Sequence, residues 1–239
     1  NLRGKAIPMD KLAPKLIRRA QKKDYIAIII DPIYKIITGD ENSADQMAAF
    51  CNQFDIVCTE LKSAVIYCHH HSKGSQGQKK AIDRSSGSGV FARDPDAVLD
   101  YIELEKNDDL IAQQVNKAIC RTCRIYMDSH NAWTKDMLDP DSMENAKVFV
   151  EYCKNTLDRW QMAMLQSQID AEVAATKSMS AWRIEGTLRE FAAFDPVDCW
   201  FRYPIHYMDA SGVLKDSQAE NAMTKVFEER KKAAERAKV

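Results

Sequence analysis

The sequence predicts an α/β fold: a parallel sheet flanked by helices, with antiparallel edge strands and a helical insertion. Three observations carry that expectation. Residues 25–30 and 64–68 are apolar and rich in β-branched side chains, as in strands covered on both faces of a parallel sheet. A helical repeat lies between them, and a strand, a helix and a strand in that order make a right-handed parallel crossover. Further on, Trp182, Ile184, Gly186 and Leu188 alternate with Arg183, Glu185, Thr187 and Arg189, the period of a strand with one covered face.

Taken in order, residues 10–20 carry Leu12, Leu16 and Ile17 at helical spacing among basic residues, which predicts a short amphipathic helix. The first strand stops at Asp31-Pro32. After the loop Gly39-Asp40-Glu41-Asn42, Ser43 and Gln46 form a capping box, and Met47, Phe50, Cys51, Phe54, Val57, Cys58 and Leu61 follow on one helical face. The second strand ends at His69-His70-His71, and residues 72–89 turn polar, with Lys73, Lys79, Lys80 and Arg84 set among Gly and Ser. Residues 98–105 predict another strand. From 107 to about 176 the pattern is helical, with Phe149, Cys153, Leu157, Trp160 and Met164 forming one stripe. Residues 199–208 predict a last strand before the turn Asp209-Ala210-Ser211-Gly212. The expected organisation is a core over 1–106, a helical insertion over 107–177, final core strands over 178–216 and a charged helix over 217–239.

The composition is that of a globular chain with a buried core: 239 residues, 45% hydrophobic and 29% charged. A formal net charge of -1 excludes a broad basic field, so any nucleic-acid binding has to be local. No run reaches the roughly 18 apolar residues of a membrane span, and the first 15 residues lack the apolar core of a signal peptide; the expected location is cytoplasmic, with no membrane partner. Opening at Asn1 rather than Met is expected of a piece of a longer protein, and equally of processing or of a removed tag. Seven cysteines, an odd number mostly in apolar stretches, predict reduced core thiols. Cys120 and Cys123 form a C-x-x-C pair with His130 nearby, but no fourth ligand stands at zinc spacing.

Ligands of open α/β sheets bind at the carboxyl ends of parallel strands, where Asp31, His70 and Lys73 fall. An apolar strand ending in Asp can fix a carboxylate for the Mg2+ shell of a nucleotide; it is equally a strand-terminating turn. Three histidines at a strand end can sense a phosphate, pack against neighbours or bind a metal. Lys73, Lys79, Lys80, Arg84 and Arg93 can face a neighbouring subunit's phosphates, a nucleic-acid backbone, or solvent alone.

In combination these segments point to a family. Ile28-Ile29-Ile30-Asp31-Pro32-Ile33-Tyr34-Lys35, Val65-Ile66-Tyr67-Cys68-His69-His70-His71-Ser72-Lys73-Gly74 and Arg84-Ser85-Ser86-Gly87-Ser88-Gly89-Val90-Phe91-Ala92-Arg93-Asp94 closely resemble the RecA-like ATPases of plasmid and phage replication. The resemblance spans about residues 1–105, and residues 182–191 resemble the family's late strand. It implies part of a RecA-like P-loop NTPase core, its distal half, in an ATP- and Mg2+-dependent hexameric helicase acting on DNA, expected to be single-stranded. By that resemblance Asp31 is the Walker B carboxylate and metal ligand, and His70 senses the nucleotide. His71, Lys73, Lys79 and Lys80 face nucleic acid. Arg93 is the arginine finger, with Arg84 the second choice for the same nucleotide contact. The departure is the phosphate loop: G-x-x-x-x-G-K-S/T occurs nowhere in the chain, and without its backbone donors and Lys catalysis falls to background. The expected function is therefore one part of a DNA-replication ATPase. The alternatives are a RecA-like nucleic-acid-binding or regulatory protein without catalysis, and a metalloenzyme using His69 to His71.

Overall fold

The computed structural model describes residues 9–37, 40–70, 89–134 and 137–219. They form two compact units, one of the residues up to Asp100 with Glu185–Asp195, the other of Tyr101–Ile184 with Pro196–Ala219. Both contain helices and strands, as expected of an α/β chain. Among the described residues no helix is long and apolar enough to cross a membrane.

In the first unit a 3-10 turn leads into α1 (Leu12–Ala20), followed by β1 (Ala27–Ile30), α2 (Ala44–Leu61), β2 (Ala64–Tyr67) and α3 (Val90–Arg93). α2 starts at Ser43, whose hydroxyl accepts from the Gln46 N–H at 3.5 Å. The Gln46 carboxamide reaches past Ser43 to accept from the Asp40 N–H at 2.9 Å, so the expected capping box is half formed and its other arm closes the preceding loop. The helix ends at Lys62 in the left-handed conformation (φ 54°), and the buried Ser63 hydroxyl donates to the Tyr25 carbonyl.

β1 and β2 pair in parallel, Ala27 opposite Ala64 through Ile30 opposite Tyr67. That register sets Ile30, Val65 and Tyr67 on one face, against Leu12, Ile33, Met47, Phe50, Cys51, Phe54 and Phe91. Ile29 and Ile66 share the other face and stay 69% and 49% exposed. The sequence predicts cover on both faces; among the described residues of this unit only one is packed. A run that is apolar at every position hides the two-residue period that tells the faces apart.

The second unit holds α4 (Asp108–Ser129), α5 (Ala146–Thr156) and α6 (Arg159–Ser178), then most of β4 (Ser180–Leu188), β5 (Val197–Arg202) and β6 (Ile205–Met208). β3 (Ala97–Leu104) and β4 contribute residues to both units. The four strands form a separate sheet in the order β3-β4-β5-β6, antiparallel from β4 through β6. The expected single strand over 199–208 is a hairpin, broken at Tyr203-Pro204, because proline has no N–H for the ladder.

Each helix has its own cap: Asn107 accepts from Leu110 N–H at 2.7 Å, Asn145 caps α5, and Asp158 with Gln161 makes a complete capping box on α6. Cys120, Cys123, Met127, Phe149, Cys153 and Leu165 lie in the helical core. A hydrogen bond to Cys153, and then burial, holds the Cys123 thiol well above the ordinary range. All seven cysteines are free, five of them buried. The predicted stripe from Phe149 to Met164 is cut at Leu157: Phe149, Cys153 and Leu157 are buried, while Trp160 is 69% exposed. The Asp158 cap starts a new helix, and a new helix resets the angular phase of the repeat.

Arg183 ties β4 to β5 and to the chain beyond β6. Its Nε and Nη2 donate to the Asp198 carboxylate at 2.7 and 3.1 Å, and Nη2 also donates to the Leu214 and Lys215 carbonyls at 3.1 and 2.9 Å. Both ion-pair partners are largely shielded from water. Arg183→Met is expected to cost about 2–4 kcal/mol, since it leaves a shielded carboxylate and two carbonyls short of donors. Urea unfolding followed by fluorescence of the adjacent Trp182 and Trp200 measures it.

Candidate functional site at the ends of the parallel strands

The carboxyl ends of β1 and β2 are stitched together, Cys68 N–H to Ile30 carbonyl and Ile33 N–H to Cys68 carbonyl, both at 3.0 Å. These bonds fix the backbone on either side of Asp31, whose side chain is exposed. The exposed Cys68 thiol is pushed up, first by burial and then by the Asp31 charge, so the carboxylate lies close to the end of β2. Asp31 and His70 thus sit at one sheet edge, where the sequence expects them.

The histidines divide between two environments. His69 turns inward: its Nε2 pairs with Glu41 Oε1 at 3.0 Å, its Nδ1 meets the His70 carbonyl at 2.9 Å, and its ring lies 4.8 Å from Phe91. His70 is exposed, its ring 5.6 Å from Tyr34. Alternation along the extended chain sends neighbouring side chains to opposite faces; the outward one is available to a ligand.

Arg93 ends α3 and is exposed. Its guanidinium folds over Gly89, where a Cβ would come within 3.2 Å of Nη2. No hydrogen bond or ion pair among the described residues joins Arg93 to Asp31 or His70. The backbone after α3 is held by Arg189, which donates to the Arg93 carbonyl at 2.8 Å, to the Asp94 carbonyl and to Asp96 Oδ1 at 3.2 Å, while its own N–H bonds the Asp96 carbonyl at 2.8 Å. Behind this turn the Asp94 carboxyl is raised by burial and by Asp55, with Arg189 working against both. The neighbouring Cys51 thiol is pushed up to about 12, chiefly by burial and then by Asp94. It is a protonated donor, not a nucleophile, at neutral pH.

Tyr34, Glu41 and Arg189 escape sequence reasoning. Glu41 stands in a polar turn with no motif spacing, and Arg189 looks like one more outward residue of an alternating strand. His71, Lys73, Lys79, Lys80 and Arg84 lie outside the described residues. Among the described residues no three His, Cys, Asp or Glu side chains gather as a metal-binding group.

Residues 3–76 match a family described as an AAA domain. The match takes in β1, α2, β2, Asp31 and His70, and likens this segment at a coarse level to AAA and P-loop-type ATPases, hence to binders of a nucleotide, ATP. No curated protein and no solved structure matches the chain.

Proposed function

We propose that this chain is the distal part of a RecA-like hexameric ATPase of DNA replication, a helicase-type motor that couples ATP hydrolysis to movement on single-stranded DNA. The observation that carries the reading is that Asp31 and His70 follow the carboxyl ends of two parallel strands, inside the segment similar to an AAA domain. One exposed carboxylate suits Mg2+ in a nucleotide site, because that ion takes one or two carboxylates and completes its shell with phosphate oxygens and water. Bound Mg2+ supplies charge neutralisation at the phosphates. Asp31 holds the ion, His70 hydrogen-bonds a phosphate oxygen, and Arg93, or Arg84 in its place, projects toward the neighbouring subunit's nucleotide. On this reading residues 1–106 and 178–216 belong to the core, 107–177 are an insertion, and His71, Lys73, Lys79 and Lys80 face DNA.

The phosphate loop does not occur in these residues, so hydrolysis requires one supplied from outside them. The same observation favours the second reading, a RecA-like nucleic-acid-binding or regulatory protein without catalysis. ATP binding and DNA-stimulated hydrolysis by the complete gene product, measured beside this chain alone, decide between them. Hydrolysis by the complete product and none by this chain is the expected result. A complete product that binds DNA but no nucleotide would leave the second reading.

A further inference from the structure

The ATPase reading gives His70 a phosphate contact but leaves Tyr34, whose ring lies against it, and Lys35, beside Tyr34, without a role. The turn after β1, Ile33–Lys35, is anchored by the fully buried Ile33, so the two residues that follow face outward. Tyr34 remains 49% exposed although its ring stands 5.6 Å from that of His70 at an angle of 35°. The Lys35 ammonium lies 5.9 Å from the centroid of the Tyr34 ring. Two flat rings from the ends of neighbouring strands and one cation thus share an open edge, on a turn held in place from below. A merely solvated turn does not call for an exposed tyrosine against a histidine ring.

The chemistry that matches is an unpaired nucleobase with its phosphate: a π face to lie on an aromatic ring, and an anion beside it for an ammonium. A base pair inside a duplex has no free face to offer. We propose that Tyr34 and His70, with Lys35, form a stacking subsite for an unpaired nucleobase and its attached phosphate, an inference that rests on the proposed function for bringing such a ligand to these strand ends. The base belongs either to a single strand or to a free nucleotide, and the two are separable.

The test measures binding of a labelled oligothymidylate strand, and separately of a fluorescent ATP analogue, to this chain and to Tyr34→Ala, Tyr34→Phe and Lys35→Gln. Tyr34→Ala is expected to weaken binding about tenfold, the range of one base stacked on one ring, while Tyr34→Phe, which keeps the ring, stays within about twofold. Seen with the oligothymidylate, that contrast assigns the base to a strand; seen with the ATP analogue alone, it assigns the base to the nucleotide. Lys35→Gln is expected to lower the slope of log affinity against log salt for the strand by about 0.7, one phosphate's share. If neither ligand binds, if Tyr34→Ala binds like the parent, or if Tyr34→Phe is as weak as Tyr34→Ala, the subsite is overturned. An unchanged salt slope overturns the part given to Lys35. Failure of the complete product to hydrolyse ATP, with the Tyr34 contrast intact, sinks the ATPase reading and leaves the subsite standing.

Discussion

On the proposed function, Asp31→Asn is expected to lower ATP hydrolysis by the complete gene product at least about a hundredfold, because it removes the charge that would hold a nucleotide's metal ion. The carboxylate is exposed and its neighbouring backbone is secured by the Ile30, Ile33 and Cys68 bonds. Its loss should therefore change the stability of this chain by no more than about 0.5 kcal/mol, which separates a chemical effect from an unfolding one. A second readout needs no nucleotide. Asp31 is one of the two causes that raise the Cys68 thiol, so the neutral amide lowers that pKa and increases the thiolate fraction at neutral pH. Alkylation of the exposed Cys68 by iodoacetamide should then be faster in Asp31→Asn than in the parent. An equal rate would mean that the carboxylate does not stand beside β2. Hydrolysis near the parent level would remove Asp31 from the chemistry.

Phe50→Ala is expected to destabilise the first unit by about 3–5 kcal/mol, the cost of deleting a buried aromatic side chain and leaving a cavity. Phe50 is 1% exposed, meets Phe54 edge-on at 5.2 Å and lies 6.5 Å from Phe91, which in turn touches His69. The four tryptophans, at 133, 160, 182 and 200, all belong to the second unit, so their fluorescence does not report directly on this cavity. Hydrogen exchange does: the amides of α2 and β2 should lose protection by roughly a hundredfold or more. Unchanged protection there would show that this aromatic cluster does not hold the unit together.

The strand-end site was half legible. Asp31 and His70 could be placed because two apolar runs with a helical repeat between them predict parallel strands, and the carboxyl ends of parallel strands are where ligands gather. Whether a residue in such a run faces the core was not legible, since Ile28, Ile29 and Ile30 read alike. Tyr34 lies inside a recognisable segment yet carries no sequence signal of its own, because nothing in the order of residues says that its ring meets His70, 36 positions on. Arg189 was hidden for the same reason: its partners at 93, 94 and 96 are distant in sequence.

By itself the sequence determined what depends on neighbours along the chain: the crossover β1-α2-β2 and the Ser43 cap that starts α2. These follow from backbone geometry and hydrophobic period, which a few consecutive residues fully express. Tertiary structure alone decided that the strands divide into two sheets, that the stripe after Phe149 breaks at Leu157, that His69 turns inward to Glu41 while His70 faces out, and that Arg189 grips the turn after α3. Those outcomes depend on which distant side chains meet, and burial and hydrogen-bond satisfaction are settled only when they do.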